Sequence, residues 1–395
     1  MTRFVDKERI NSGTLKALGY QERDIIKKFT LYGLTSGLIG AAVGIAAGLS
    51  VQHSISGIND RQFGDIIKYD MIAAENKNLD EDEQKEIDEK LSDGETIKSH
   101  ASIYYEEYSV TAGKSKDNQT IKMICPEKTD DFSDYISLDD RKTKQQISLS
   151  DDGVVISKRL AKLLDVSDGD TITLKDSSGK SMNLKIADIT EMYTGHFVFT
   201  SPAYYETFSS QEFSTNAYLI KLFDSSFDHA NQVASEFMKL DGIAGIVQNT
   251  TMINQINIIV KSLNKIMWVL ILVAVLLGVV ILYNLTNINV SERIRELSTI
   301  KVLGFFDKEV TLYIYRETII LTLIGILTGF LTGDWLYKYI ITVVPPDEVM
   351  FNPALSSRAF AVPFVLISLI TLILGFVINR RLRNVDMLDA LKSVS

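Results

Sequence analysis

Apolar positions in this chain gather into four long runs, over about residues 29–51, 266–285, 314–340 and 360–378, and polar positions fill the intervals. Each run is near or above the roughly 20 residues with which an α-helix crosses about 30 Å of hydrocarbon. The pattern therefore predicts four transmembrane helices. Between the first two lies a polar stretch of about 200 residues, long enough for an independent domain with its own core. There, residues 79–91 (LDEDEQKEIDEKL) read as a charged helix with few apolar positions, a solvated face or linker. Residues 171–175 and 182–189 alternate apolar and polar positions around Asp176-Ser177-Ser178-Gly179-Lys180, a hairpin with turn chemistry. Residues 227–240 read as a helix with Val233, Phe237 and Leu240 on one side. The expected fold class is an α-helical membrane protein with four transmembrane helices plus an α+β extracytoplasmic domain with antiparallel strands.

Charge orients this layout. Arg3, Lys7, Arg9, Lys16, Arg23, Lys27 and Lys28 precede the first run; Arg293, Arg295, Lys301 and Lys308 follow the second; Arg380, Arg381, Arg383 and Lys392 follow the fourth. Lysine and arginine accumulate in the segments that stay in the cytosol, so all three are expected inside and the large polar stretch outside. From Asp60 to Asp241 there are 36 acidic and 21 basic residues, a net of −15 against −9 for the whole chain. The predicted organisation is a cytosolic segment 1–28, a transmembrane helix 29–51, an extracytoplasmic domain 52–258, a three-helix membrane domain 266–379 with a cytosolic loop at 291–308, and a cytosolic tail 380–395. The first apolar run begins near residue 29 and exceeds 20 residues, whereas a signal peptide has about 7–15 apolar residues close to the start; it reads as a retained anchor. Cys125 is the single cysteine, so no internal disulfide is available. That suits a bacterial surface, of Gram-positive type, better than a eukaryotic secretory product.

One pattern occurs twice. Thr14-Leu15-Lys16-Ala17-Leu18-Gly19-Tyr20 and Thr299-Ile300-Lys301-Val302-Leu303-Gly304-Phe305 share a register about 285 positions apart, and in it Gly40, Gly44 and Gly48 fall on Gly325, Gly329 and Gly333. A basic turn followed by a helix with glycine every fourth residue is thereby duplicated. Such a stripe lets another helix backbone approach closely where the hydrophobic effect cannot drive association. It suits either a tight static bundle or a sliding interface. Residues 291–303 (SERIRELSTIKVL) place Ile294, Leu297, Ile300 and Leu303 at helical spacing among charges, the mark of an interfacial helix that presents one face to a cytosolic partner, or of a plain topogenic loop. Asp334 with Trp335, Tyr337 and Tyr339 is expected at the outer membrane boundary, with Asp334 reaching headgroups or water.

Catalytic chemistry is not indicated. Gly179-Lys180-Ser181 resembles the end of a phosphate-binding loop, but position 174 is leucine where that motif requires glycine, and the stretch precedes a strand. His53, His100, His196 and His229 are scattered without metal-ligand spacing and read as surface or satisfied core residues. The lone cysteine has no neighbouring histidine to activate it. Glu106-Glu107, Asp130-Asp131 and Asp151-Asp152 are consecutive, so in a strand they point to opposite faces and serve solubility. No metal, no directly bound cofactor and no nucleic-acid partner are expected. ATP, if it drives this protein, binds another polypeptide.

These residues carry a resemblance. From about Ile266 onward the chain resembles an FtsX-like permease domain: a helix, then Glu292-Arg293-Ile294-Arg295-Glu296-Leu297-Ser298-Thr299-Ile300-Lys301-Val302-Leu303-Gly304, then two helices, with a tail from Arg381 to Lys392 similar to the family's usual ending. Residues 153–170 (GVVISKRLAKLLDVSDGD) resemble the core of a MacB-type extracytoplasmic domain. The resemblance implies the permease subunit of an ABC transporter of the MacB and FtsX class. It further implies an ATPase partner, a homodimer or second permease module, contact with membrane lipid, and mechanical transmission of ATP-driven closure to the external domain. Carried over by position, Glu292, Arg293, Arg295, Glu296, Lys301 and Gly304, with Lys16 and Gly19, would contact the ATPase. Gly40, Gly44, Gly48, Gly325, Gly329 and Gly333 would pack helices. The helices ending near Val51 and beginning near Ile266 would form a stalk.

In relatives, the stretch Gly13 to Tyr20 resembles a segment that follows a transmembrane helix, and 12 residues precede it here. Either this is the C-terminal part of a larger two-module permease, or a four-helix chain of MacB-like layout. The expected cargo is a lipid, peptide or antibiotic. A regulator that activates an external cell-wall enzyme without transport is the alternative, and an enzyme in its own right ranks third.

Overall fold

The computed structural model describes residues 22–112, 117–141, 143–209, 212–292, 300, 303–352 and 357–383. In chain order its helices are α1 (Glu22–Ser56), α2 (Glu81–Leu91), α3 (Lys158–Leu164), α4 (Pro202–Ser209), α5 (Phe227–Phe237), α6 (Asn249–Glu292), α7 (Asp307–Val343) and α8 (Arg358–Arg383). The strands are β1 (Met71–Glu75), β2 (Ile97–Ala112), β3 (Asp117–Pro126), β4 (Val154–Ser157), β5 (Thr171–Lys175), β6 (Ser181–Thr190), β7 (Phe197–Phe199), β8 (Ala217–Leu222) and β9 (Ile243–Gln248). The chain divides into two compact units. One comprises Met1–His53, Leu263–Ile340 and Ala354–Ser395; the other comprises Ser54–Ser262 and Ile341–Pro353.

The first unit holds the apolar helices. Four segments, Ile39–Ile66, Asn249–Asn284, Thr318–Val343 and Arg358–Arg380, are long and apolar enough to cross a membrane. The helices outrun the apolar stretches. Hydropathy marks the part of a helix that suits hydrocarbon, whereas a helix ends where a breaker intervenes, and residues 249–277 contain neither glycine nor proline. Ala42, Ile45, Ile271, Ala274, Tyr315, Ile326, Ile367 and Leu374 form the interior of this bundle. Tyr315 Oη donates to the Thr371 carbonyl at 2.6 Å, which satisfies a phenol that has no water to turn to. The outward sides of α6, among them Trp268, Leu272, Leu276 and Val280, are exposed in the single chain.

The second unit is built on nine strands in the order β3-β7-β4-β6-β5-β2-β8-β1-β9, with a further pairing of β3 to β2. Since β2 pairs with both β3 and β5, strands β2, β3, β7, β4, β6 and β5 close a ring. Its interior is apolar: Ile121, Met123, Cys125, Ile156, Leu160, Leu174, Leu184 and Ile186 are buried together. The 16-residue β2 then continues into an antiparallel sheet with β8, β1 and β9. Against that sheet α2 and α5 bury Ile87, Leu91, Val233 and Phe237. The β3–β7 and β4–β6 pairs are parallel, so the sheet is mixed where the sequence suggested antiparallel strands alone.

Local chemistry explains the elements that the sequence pattern predicted. The hairpin of β5 and β6 pairs Leu174 with Met182, and the Asp176 carboxylate accepts from the Ser178 and Lys180 amides at 2.9 Å each. Gly179 sits in this turn at φ +85°, so Gly179-Lys180-Ser181 is turn chemistry and opens no helix. The charged helix α2 starts at a capping box, Asp80 accepting from the Asp82 and Glu83 amides and Glu83 accepting from the Asp80 amide. It is a packed element and no linker: Gly242 lets Leu79 and Ile87 approach so closely that a Cβ there would stand 2.6 and 2.9 Å from their side chains.

Candidate functional site

Of the residues expected to contact an ATPase, Lys16, Gly19, Arg293, Arg295, Glu296 and Lys301 lie outside the described residues, and Glu292 is the last residue of α6. Gly304 is described. It adopts φ +96°, a left-handed turn that favours glycine, between α6 and α7. Around it Leu303, Phe305 and Phe306 are 72%, 52% and 76% exposed. These apolar side chains are exposed in a chain stretch whose sequence is otherwise basic.

The two glycine stripes are placed within the first unit, with one exception. A Cβ at Gly44 would lie 2.9 Å from Ala274 Cβ, and one at Gly48 2.9 Å from Ile271 Cγ1, so both face α6. A Cβ at Gly329 would overlap Ala42, and one at Gly333 would lie 3.3 Å from Ala46 Cβ, so α7 approaches α1 from another side. Gly325 is buried. Gly40 differs from its stripe neighbours: it is exposed, with open space around a Cβ. The Asp334 carboxylate also differs, since Oδ2 pairs with Lys338 Nζ at 2.7 Å one turn along α7. Trp335 and Tyr339 stack beside it on the outside, and Tyr337 points inward.

The second unit contains a polar junction that the sequence did not single out. Glu191, directly after β6, is 2% exposed. Its carboxylate lies 2.7 Å from Lys144 Nζ, 3.5 Å from Arg61 Nη2 and 3.9 Å from Arg141 Nε, and it accepts the Tyr193 hydroxyl. Arg61 belongs to a π-helical segment, Asp60–Ile66, that follows α1. Its neighbour Gln62, fully buried, accepts from the Tyr193 amide at 2.8 Å. Two residues earlier, Asn59 Nδ2 donates to Asn257 Oδ1 of α6 at 2.6 Å. Burial drives the Tyr193 phenol well above the usual tyrosine range, and the Glu191 charge adds to it.

The loop 341–353 reaches the same place. Thr194 pairs with Val349 in an isolated antiparallel bridge, the Gly195 amide donates to the Glu348 carbonyl, and the Met350 amide to the Tyr193 carbonyl, both at 2.8 Å. Arg159 of α3 clamps the loop through Nε to the Asp347 carbonyl at 2.9 Å and Nη2 to the Pro346 carbonyl at 3.1 Å. Residues 191–196 thus receive the segment that follows α1 and the loop between α7 and α8. The sequence reading set the domain at 52–258 and left this loop out. The Arg159 guanidinium is held below its ordinary pKa by burial, with Asp347 opposing.

Reactive groups are quiet by comparison. Cys125 is buried in the ring, and burial alone raises its thiol far above the ordinary range. Among the described residues, no group of three or more His, Cys, Asp or Glu is placed to hold a metal ion. His196 is not the satisfied core residue expected, because both ring nitrogens are buried without a hydrogen-bond partner.

The arrangement defines a class: a four-helix membrane protein whose spanning helices carry a mixed α/β domain and a separate exposed turn. Residues 1–73 and 268–388 match the FtsX-like permease C-terminal family. In fold the chain is similar to the periplasmic region of MacB from Actinobacillus actinomycetemcomitans, with 12% identity over 49% of this chain and 95% of that one, at a TM-score of 0.26. It is also similar to the extracellular domain of the noncanonic ABC-type transporter YknZ from Gram-positive bacteria, with 14% identity over 44% and 91% of the two chains, at a TM-score of 0.25. No curated protein matches the chain.

Proposed function

We propose that this chain is the membrane-spanning subunit of an ABC-type transporter, and that a separate ATPase docks on the turn between α6 and α7 and drives movement of the external unit. The observation that carries this reading is the exposed Leu303, Phe305 and Phe306 around a left-handed Gly304, inside a family-matched segment whose sequence also carries Arg293, Arg295 and Lys301. Exposed aromatic and aliphatic side chains fill a pocket, and the flanking cations set orientation and on-rate. The basic segments support a cytosolic position for this turn and an external one for the Ser54–Ser262 unit.

ATP-driven movement of the turn travels along α6, a single 44-residue helix whose first residues belong to the external unit. The Glu191 junction receives it there together with the extension of α1. The exposed sides of α6 accept a second copy of the chain or a second permease module, and lipid covers the rest. The cargo is a lipid, peptide or antibiotic that is exported or extracted.

Affinity purification of the full chain from its native membrane in mild detergent, followed by an ATPase assay, tests the proposal. A stoichiometric nucleotide-binding subunit with ATP turnover supports it. Recovery of the chain without an ATPase overturns it. An external cell-wall hydrolase recovered along with the ATPase would redirect the reading from transport to regulation.

A further inference from the structure

Three polar atoms lie buried and without a hydrogen-bond partner in one three-residue stretch, Thr194 Oγ1 and both ring nitrogens of His196. His196 is 2% exposed. A neutral imidazole has one N–H to donate and one lone pair to fill, and an unmet buried group costs about 1–3 kcal/mol. From β3, the Lys122 amide donates to the His196 carbonyl at 2.8 Å, while Lys122 Nζ lies over the neighbouring Phe197 ring, 6.0 Å from its centroid. From the other side come Arg159 of α3 and Asp347 and Glu348 of the loop, the charged groups that act on the imidazole. Arg159 is already engaged with Pro346 and Asp347. The loop is therefore fastened next to a buried imidazole that has no acceptor for a second proton.

We infer that His196 is a proton-sensitive latch for the 341–353 loop, which stays docked on residues 193–195 while the imidazole is neutral and lets go when the imidazole takes up a proton. Desolvation is the cause: an imidazolium in this site is buried, with neither ring nitrogen hydrogen-bonded to the protein, and the Arg159 guanidinium repels it. Burial holds the His196 pKa below the ordinary histidine value, with Arg159 acting in the same direction and Glu348 and Asp347 opposing. A base whose folded-state pKa is depressed contributes stability above its unfolded pKa and loses it as pH falls. Docking is accordingly favoured at neutral pH and weakened on acidification. At its start the loop continues directly from α7. The latch operates whether or not an ATPase drives the protein.

Hydrogen exchange of the full chain in lipid nanodiscs, at about pH 7.5 and about pH 5 with intrinsic rates corrected, reads the latch directly. The expected result is several-fold faster exchange across residues 344–352 at the lower pH, with residues 217–222 unchanged. In His196→Gln the rise should vanish, and His196→Phe provides a second variant if glutamine disturbs folding. Unchanged protection of the wild-type loop overturns the inference. So does an equal rise in the variants, which would assign the response to Asp347, Glu348 or Glu191.

Discussion

Arg61 and Glu191 stand 130 residues apart in the chain, and their side chains meet at 3.5 Å between Nη2 and Oε2. Arg61 follows the first spanning helix and Glu191 comes directly after β6, so the pair ties the emerging chain to the sheet. Lys144 and Arg141 complete the arrangement. Glu191→Ala removes the buried acceptor but leaves cations that reach solvent, Lys144 at 52% and Arg61 at 33% exposure, so the loss should stay below the about 3–5 kcal/mol of a fully buried pair. Denaturant unfolding of the full chain should register that loss. Glu191→Gln keeps an acceptor for Tyr193 and should lose less, and a Glu191→Ala variant as stable as wild type would deny the junction a structural role.

The glycines of α1 are not equivalent. Gly44→Leu and Gly329→Leu force a side chain into Ala274 and Ala42 respectively and should disrupt the bundle, whereas Gly40→Leu meets open space. Thermal stability in detergent should fall for the first two and hold for the third. If Gly40→Leu instead abolishes self-association while leaving the monomer stable, its exposed side is where a second copy packs.

Gly153 opens the stretch that resembles a MacB-type core, and its need for glycine is steric. A Cβ there would lie 2.6 Å from the Lys185 carbonyl oxygen and 2.9 Å from the Ala187 nitrogen, backbone atoms of β6 that cannot step aside. Gly153→Ala should destabilise the external unit by about 1–3 kcal/mol, the usual cost of overpacking. An unchanged unfolding midpoint would show that the β4–β6 pairing relaxes freely.

Cys125, buried in the ring with its thiol pushed far up by desolvation, should resist a membrane-impermeant maleimide in the folded chain and react after denaturation. Prompt labelling of the native protein would mean that the ring opens. The same inertness leaves cysteines introduced elsewhere as clean reporters.

Regular elements were legible in the sequence because their signals are local. Four apolar runs, the alternation around Asp176 to Lys180, and the spacing of Val233 and Phe237 each mark one element by its own period. The ring closure was not legible, since the pairing of β2 with both β3 and β5 joins segments far apart in the chain. The junction escaped for a related reason. Glu191 is one acidic residue among many in an acidic stretch, and only the fold brings Arg61, Arg141 and Lys144 to it. In the loop, Pro345-Pro346-Asp347 reads as a turn between helices, and nothing nearby in sequence announces Arg159 as its clamp. The duplicated glycines were visible as a pattern, but which of them pack depends on how far along each helix the neighbours come close, and a Cβ at Gly40 meets open space.

If ATP hydrolysis is coupled to movement of the external unit, holding the extensions of α1 and α6 together should stall it. Asn59 and Asn257 touch at 2.6 Å, and the sole native cysteine is buried. A short bismaleimide bridge between Asn59→Cys and Asn257→Cys can therefore be made in the co-purified complex, with a monofunctional maleimide as control. The rate of ATP hydrolysis is then measured before and after bridging. Mechanical coupling predicts that the bridge suppresses turnover while the control leaves it intact. Turnover at the same rate with the bridge in place would contradict it.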